Sequence, residues 1–308
     1  MIIKSFFRQY LYLMFVVFLF SGVTACSKDK TTDIDVVDEK ILSIEDKITK
    51  AAFIKSVDLA TQVSLHSGVT QVNLNIKTQN DQPLAIYVLE VDLNKPGVTI
   101  KASTPDNQKT FKLQQVSKIA EAADRQGNRV IAAVNADYFL WTGEPWGPLV
   151  KDSEIIRFQF AEAWHGFFGL TNQGKAMVGK PGEFVINRSS LAQAVGGTEE
   201  LISKGKKVSH TNKDRHPRTI VGHTKENIVY LIVVDGRQPT HSIGMTLSEL
   251  SDIMVALGVE SALNLDGGGS STLVVKNSKT NAFEVKNKHS DANPRSVANA
   301  LSIVSTAE

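Results

Sequence analysis

The residues best suited to chemistry stand at the ends of apolar runs. "NIVYLIVVDGR" delivers Asp235 and Arg237. "VESALNLDGGGSST" delivers Asp266, followed by Gly267, Gly268, Gly269, Ser270 and Ser271. Glycine is entropically costly in ordered structure, so three in succession between two strand-like runs mark a sharp bend or a close approach to a neighbour. Such a loop can turn a nest of backbone N–H groups toward an anion, with Ser270 and Ser271 adding hydroxyl donors. No lysine follows the glycines, and a strand-like run follows instead of a helix, which separates the loop from a nucleotide P-loop. Polar groups at the ends of buried strands are positioned by the sheet behind them. Asp235 and Asp266 are therefore expected to meet in one cleft.

The elements that must position them can be read from periodicity. "VTQVNLNIKT" alternates apolar and polar residues as a half-buried strand does, and "LAIYVLEVDL" and "GVTIKAST" are further strands separated by the turn signal "NKPG". "FKLQQVSKIAEAADRQGN" switches to helical spacing, with Leu113, Val116, Ile119, Ala120 and Ala123 on one face and Gly127 as its stop. "RVIAAVNADYF" returns to a buried strand. "MTLSELSDIMVALG" is a helix: Thr246 and Glu249 have capping-box spacing, and Gly258 ends it. Apolar residues at mixed helical spacing from Ile41 to about Leu65 predict a further helix. Strands and helices mixed in this way give an α+β (mixed α/β) class, with mixed β-sheets and packed helices.

The N-terminus has its own logic. Lys4 and Arg8 precede an apolar core from Leu11 to Phe20, too short for a membrane span and ending in small residues, as a signal peptide does. Cys26, the only cysteine, directly follows "VTA", a context that resembles the lipobox of bacterial lipoproteins. The resemblance implies cleavage before Cys26, lipidation there, and a protein tethered to a membrane of the bacterial cell envelope. "SKDKTTDIDVVDEK" reads as a flexible tether. The expected organisation is a signal over 1–25, a lipidated tether with a short helical segment over 26–67, and one catalytic domain over 68–308.

Six blocks share one texture, an apolar run followed by compact polar residues beside glycine or proline: "AVNADYF", "GEPWGPLVKDSEI", "HPRTIVG", "VVDGRQ", "NLDGGGSSTL" and "NPRSVANALSIV". Their order and spacing resemble the phosphodiester glycosidase family over roughly Gly68 to the C-terminus. The resemblance implies cleavage of the C1–O bond of a glycosyl-1-phosphodiester carrying a GlcNAc-like sugar, releasing free sugar and a phosphate monoester. The matched positions are Asn135, Arg218, Asp235, Arg237, Asp266, Gly267, Gly268, Gly269, Ser270 and Arg295. The family often has a small residue where this chain has Asp137, so no role carries over to that position.

The chemistry suits these residue types. A phosphate monoester, with a second pKa of about 6, leaves far more readily than a sugar alkoxide. Charge neutralisation then matters more than a strong general acid. Arginine holds phosphate through two parallel hydrogen bonds and stays charged, which is the reading of Arg218 and Arg295. A carboxylate beside the anomeric carbon can stabilise the cation, attack it or activate water, which makes Asp235 and Asp266 the expected catalytic pair. Arg237 reads more as a structural residue than a catalytic one. Two other readings are a surface lipoprotein that binds phosphorylated glycan without cleaving it, and a phosphodiesterase cutting phosphorus–oxygen.

The remaining features constrain partners. The formal net charge of +2, with no long basic stripe, disfavours nucleic acid. His210, His216, His223 and His241 cluster in sequence, but their spacing matches no zinc motif. No cofactor is implied, although a divalent cation such as calcium on Asp and Asn oxygens stays open. Trp141, Trp146 and Trp164 are candidates for stacking on sugar faces.

Overall fold

The structure is a computed structural model that describes residues 43–306. The expected signal, lipidated Cys26 and the whole of the tether over 27–40 lie outside the described residues. Among the described residues, no helix is long and apolar enough to cross a membrane.

The framework is an eight-stranded antiparallel sheet. Its strand order is Ile54–His66, Val69–Thr78, Pro83–Asp92, Ile228–Val234, Arg218–His223, Ser261–Asn264, Glu200–Ser203 and Lys206–Lys207. The unbroken apolar run of Ile228–Val234 is explained by burial on both faces. Tyr230, Ile232 and Val234 enter a core shared with the Leu247–Ala256 helix, whereas Val229, Leu231 and Val233 enter a second core. Residues of two five-stranded sheets, among them Phe168, Val195, Val134 and Ile303, complete that second core. The Val116–Ala123 helix covers the outer face of one of these sheets through Val116, Ile119, Ala120 and Ala123. The fold is α+β and mostly β.

Three local expectations hold in detail. Thr246 and Glu249 form a reciprocal capping box. Gly258 has φ +75° just past the helix end, the left-handed conformation that favours glycine. Gly127, at φ +88°, lies in the turn that ends the Val116–Ala123 helix.

The helix expected over 41–65 is corrected. A five-residue helix, Ile44–Ile48, is followed by a thirteen-residue strand, Ile54–His66, paired with Val69–Thr78. Register shifts at Ile54/Ser56, Val57/Leu59 and Ser64/His66 interrupt the strand. Each bulge slips the apolar pattern by one residue, so the period-2 signature is erased and the spacing imitates a helix. Ile44, Ile48 and Ile54 pack into the first core, so the compact body takes in residues ahead of Gly68.

Candidate active site

Register places the chemistry. Arg218 pairs with Val234, and Ile220 pairs with Asn264. The start of the Arg218 strand therefore lies beside the ends of the two strands that lead to Asp235 and Asp266. One end of three neighbouring central strands collects all three residues.

They do not play equivalent parts. A cleft of about 280 Å³ is lined by Tyr138, His216, Pro217, Arg218, Arg237, Asp266, Gly267, Gly268 and Arg295. Asp235 does not line it. Its carboxylate is 1% exposed and accepts from Tyr87 Oη at 3.2 Å, His241 Nε2 at 2.8 Å, Asn287 Nδ2 at 3.0 Å and the Lys288 N–H at 2.9 Å. With its lone pairs committed, Asp235 holds the 287–288 segment in place, whereas Asp266, the residue expected to pair with it, lines the cleft. Asp235→Ala strands several buried donors, each costing about 1–3 kcal/mol. Unfolding by urea is expected to show a loss of about 3 kcal/mol or more. Wild-type stability with abolished turnover would instead return Asp235 to the reacting atoms.

Asn135 likewise does not line the cleft. It is fully buried; its Nδ2 donates to the Asp266 carbonyl at 2.6 Å, and its Oδ1 accepts from Thr219 Oγ1 at 2.7 Å and the Thr272 N–H at 3.0 Å. One amide thus ties the strand of one sheet to the Asp266 loop and to the neighbouring sheet.

Most amides of the glycine loop are already engaged. The N–H groups of Gly268, Ser270 and Ser271 donate to the carbonyls of Pro217, Gly267 and Gly268. The glycines serve close approach instead. A Cβ on Gly267 would lie 2.6 Å from the Pro217 carbonyl oxygen, and one on Gly269 would strike the Asp291 carboxylate and the Arg295 guanidinium. Gly269 and Ser270 are buried behind the cleft wall that Gly267 and Gly268 form.

Three arginines, Arg218, Arg237 and Arg295, line the cleft. Arg218 is 7% exposed, and its guanidinium donates to carbonyls, Nε to Met245 at 3.1 Å and Nη2 to Asp214 at 3.3 Å. Arg237 faces His216, with Nη2 3.2 Å from Nδ1. Because arginine can only donate, His216 Nδ1 is the acceptor and Nε2 carries the proton. Burial and the charges of Arg218 and Arg237 hold the His216 pKa below the usual imidazole value. Among the described residues neither Arg218 nor Arg237 has a carboxylate within 4.0 Å, whereas Arg295 pairs with Asp291 at 2.8 Å. Arg237 also has φ +60°, a left-handed backbone that non-glycine residues adopt at a cost.

Asp266 is the carboxylate in this cationic cleft. Burial raises it from 3.8 to about 6, partly offset by the Ser270 hydroxyl, the Arg295 charge and the Gly267 N–H. Asp137, which sequence reading set aside, stands behind it. It is 1% exposed, accepts the Gly147 N–H at 2.8 Å, and is raised to about 7 by burial, with the Asp266 charge adding to this. Its sequence signal was a charged residue buried in the apolar block "AVNADYF". Tyr138 and His216, cleft residues beside the matched positions, lay within the quoted blocks "AVNADYF" and "HPRTIVG".

The tryptophans do not line the cleft. Trp146 stacks behind Tyr138 at 5.4 Å between ring centroids, and Trp141 and Trp164 are exposed. The histidines disperse: His241 joins Asp235, His223 lies against the Thr224 carbonyl, and His216 faces the cleft. Among the described residues, no three His, Cys, Asp or Glu side chains converge to hold a metal.

Known proteins similar to this chain were found by sequence and by structure. A mouse N-acetylglucosamine-1-phosphodiester alpha-N-acetylglucosaminidase is 39% identical over 169 residues, covering 46% of this chain and 31% of that protein. An uncharacterized SPbeta prophage-derived protein of Bacillus subtilis is 33% identical over 190 residues, covering 57% and 28%. The chain spans less than a third of the length of these curated relatives. The solved catalytic domain of the zebrafish N-acetylglucosamine-1-phosphodiester alpha-N-acetylglucosaminidase, described as auto-inhibited by its pro-peptide, shares the fold. Its TM-score is 0.60 at 21% identity, over 80% of this chain and 87% of that one. A hypothetical protein from Synechocystis aligns with a TM-score of 0.58 at 13% identity, over 80% and 64%. The family model described as phosphodiester glycosidase matches residues 128–304, more than half of the sequence, and takes in Arg218, Asp266 and Arg295; the chain belongs to that family.

Proposed function

We propose that this protein hydrolyses the sugar C1–O bond of a glycosyl-1-phosphodiester bearing a GlcNAc-like sugar, releasing free sugar and a phosphate monoester. The observation that carries this reading is a single carboxylate, Asp266, set in a cleft with three arginines, two of them without a carboxylate partner among the described residues. Arg218, Arg237 and Arg295 bind the phosphate and neutralise it as it leaves. The Nε2–H of His216 adds a neutral donor. Asp266 faces the anomeric carbon as charge develops there, and its ionised form does the work. Raised to about 6, it is mostly ionised at neutral pH. The reaction rate should therefore rise with pH through about that value and fall as acid protonates the carboxylate.

The test is product analysis on a GlcNAc-1-phosphodiester. Free GlcNAc and a phosphate monoester of the aglycone are expected. GlcNAc-1-phosphate would mark phosphorus–oxygen cleavage, and no products from a folded protein would favour simple binding of phosphorylated glycan.

The same proposal places the protein on a bacterial membrane, tethered through lipid on Cys26, on the strength of the "VTAC" context. Metabolic labelling with a fatty acid is expected to mark the wild type and not Cys26→Ala. Equal labelling of both would remove the anchor from the account.

A further inference from the structure

The cleft is lined by chemically different groups. The Gly268–Gly269 turn lies against Arg237 and Arg295. Tyr138 also lines it, its ring backed by Trp146 at 5.4 Å and 21°, with His165 stacked on Trp146 at 5.7 Å and 4°. Such a supported ring is a rigid, amphipathic platform.

Next to that platform is a second carboxylate, Glu199, whose charge reaches Tyr138 and Arg218. Asn264 Nδ2 lies 3.2 Å from Tyr138 Oη and 3.0 Å from Glu199 Oε2. The Thr198 hydroxyl donates to the same Oε2 at 2.6 Å. Oε2 is thereby fixed, and the described contacts leave the second oxygen, Oε1, unengaged. Nearby groups feel the Glu199 charge: it acts on Tyr138, Arg218, His165 and His210. The His210 Nε2 and both His165 nitrogens are buried without a hydrogen-bond partner. Unpaired buried polar groups are costly, and here several gather within reach of the Glu199 charge.

We propose that the Tyr138–Glu199 side is the sugar subsite, with Glu199 Oε1 accepting sugar hydroxyls beside the Tyr138 ring, and that the Arg237–Arg295 side holds the phosphate. This rests on the glycosidase reading and deepens it. A phosphodiester anion is repelled by Glu199 and drawn to the arginines. Neutral sugar hydroxyls are good donors to a carboxylate, and a charge-assisted hydrogen bond is among the stronger ones. The arrangement selects a neutral sugar, because a uronic acid would face Glu199 as a like charge.

The experiment uses the full-length protein with three probes, N-acetylglucosamine, glucuronic acid and inorganic phosphate, and measures binding of each by ligand-observed NMR titration at neutral pH. Glu199→Gln keeps the Oε acceptor for Thr198 and removes the charge. It is expected to weaken N-acetylglucosamine binding about tenfold, leave phosphate binding within about twofold, and strengthen glucuronic acid binding. A merely structural role would not reverse the preference between neutral and acidic sugar. Unchanged sugar binding in a folded variant, or a loss confined to phosphate, overturns the subsite. Failure of the wild type to bind N-acetylglucosamine overturns it as well. The glycosidase reading fails separately, if the wild type releases no sugar from any glycosyl phosphodiester.

Discussion

Asp266→Asn is expected to lose at least about 10²-fold in turnover, the scale of a missing acid–base group, while melting at a higher temperature than the wild type at pH 7.5. Both effects come from one cause. Burial raises the carboxylate from 3.8 to about 6, so ionising it at neutral pH works against folding. The sign follows from proton binding. Between those two values the folded state holds more protons than the unfolded chain. The favourable contribution is complete below about pH 4 and is lost as pH rises through about 6. The gap between those values is equivalent to at most about 3 kcal/mol at ~1.4 kcal/mol per decade. Asp266 opens onto water in the cleft, so the observed gain falls below that ceiling. A rise of roughly 2–6 °C in Tm is expected, shrinking toward zero at pH 4. Asp137, raised to about 7, adds to the same slope, so Asp137→Asn is also stabilising at neutral pH. Scanning calorimetry across pH, paired with product release, measures both halves. A destabilised Asp266→Asn protein, or one with undiminished turnover, contradicts the assignment.

Arg218→Met is expected to lose about 10³-fold in kcat/KM with little change in stability. The guanidinium is buried against carbonyl oxygens rather than a carboxylate, and burial pulls its pKa down, so the folded state gains little from its charge. The Met245 carbonyl it leaves behind still accepts the His216 N–H, so no buried acceptor is orphaned. Methionine fills a similar volume with an adaptable chain. What disappears is a charge-assisted contact to phosphate in both ground and transition states. Inorganic phosphate should then inhibit the variant much more weakly than the wild type. Glycosyl phosphodiesters with better-leaving aryl phosphates should recover part of the rate. Steady-state kinetics with phosphate as inhibitor checks both. Unaltered phosphate inhibition would place the anion elsewhere.

These expectations differ from a direct reading of the sequence in instructive places. The strand-end positions of Asp235 and Asp266 were legible because apolar runs locate strands, and the register then brings both to one end of the central strands. What a strand end does not specify is which way a carboxylate faces. Asp235 turns inward, where Tyr87, Asn287, Lys288 and His241 converge from distant parts of the chain. The glycine run was legible as a place of close approach but not as to what approaches. Arg237 and Arg295 come from outside the loop, and the carbonyls of Gly267, Gly268 and Pro217 take up the amides of Ser270, Ser271 and Gly268. The capping box at Thr246 was legible because its two partners sit three residues apart. Glu199 carried no local signal, since its partner Asn264 and the Tyr138 platform lie about sixty residues away in either direction. The strand at Ile54–His66 was hidden by its own bulges.

Hydrolysis in ¹⁸O-labelled water tests the central claim most directly. If Asp266 serves the anomeric carbon while the arginines hold the phosphate, water oxygen enters at C1. Mass spectrometry then finds one labelled oxygen in the released sugar and none in the phosphate monoester. Label in the phosphate product and not in the sugar would mean attack at phosphorus, and would contradict the account.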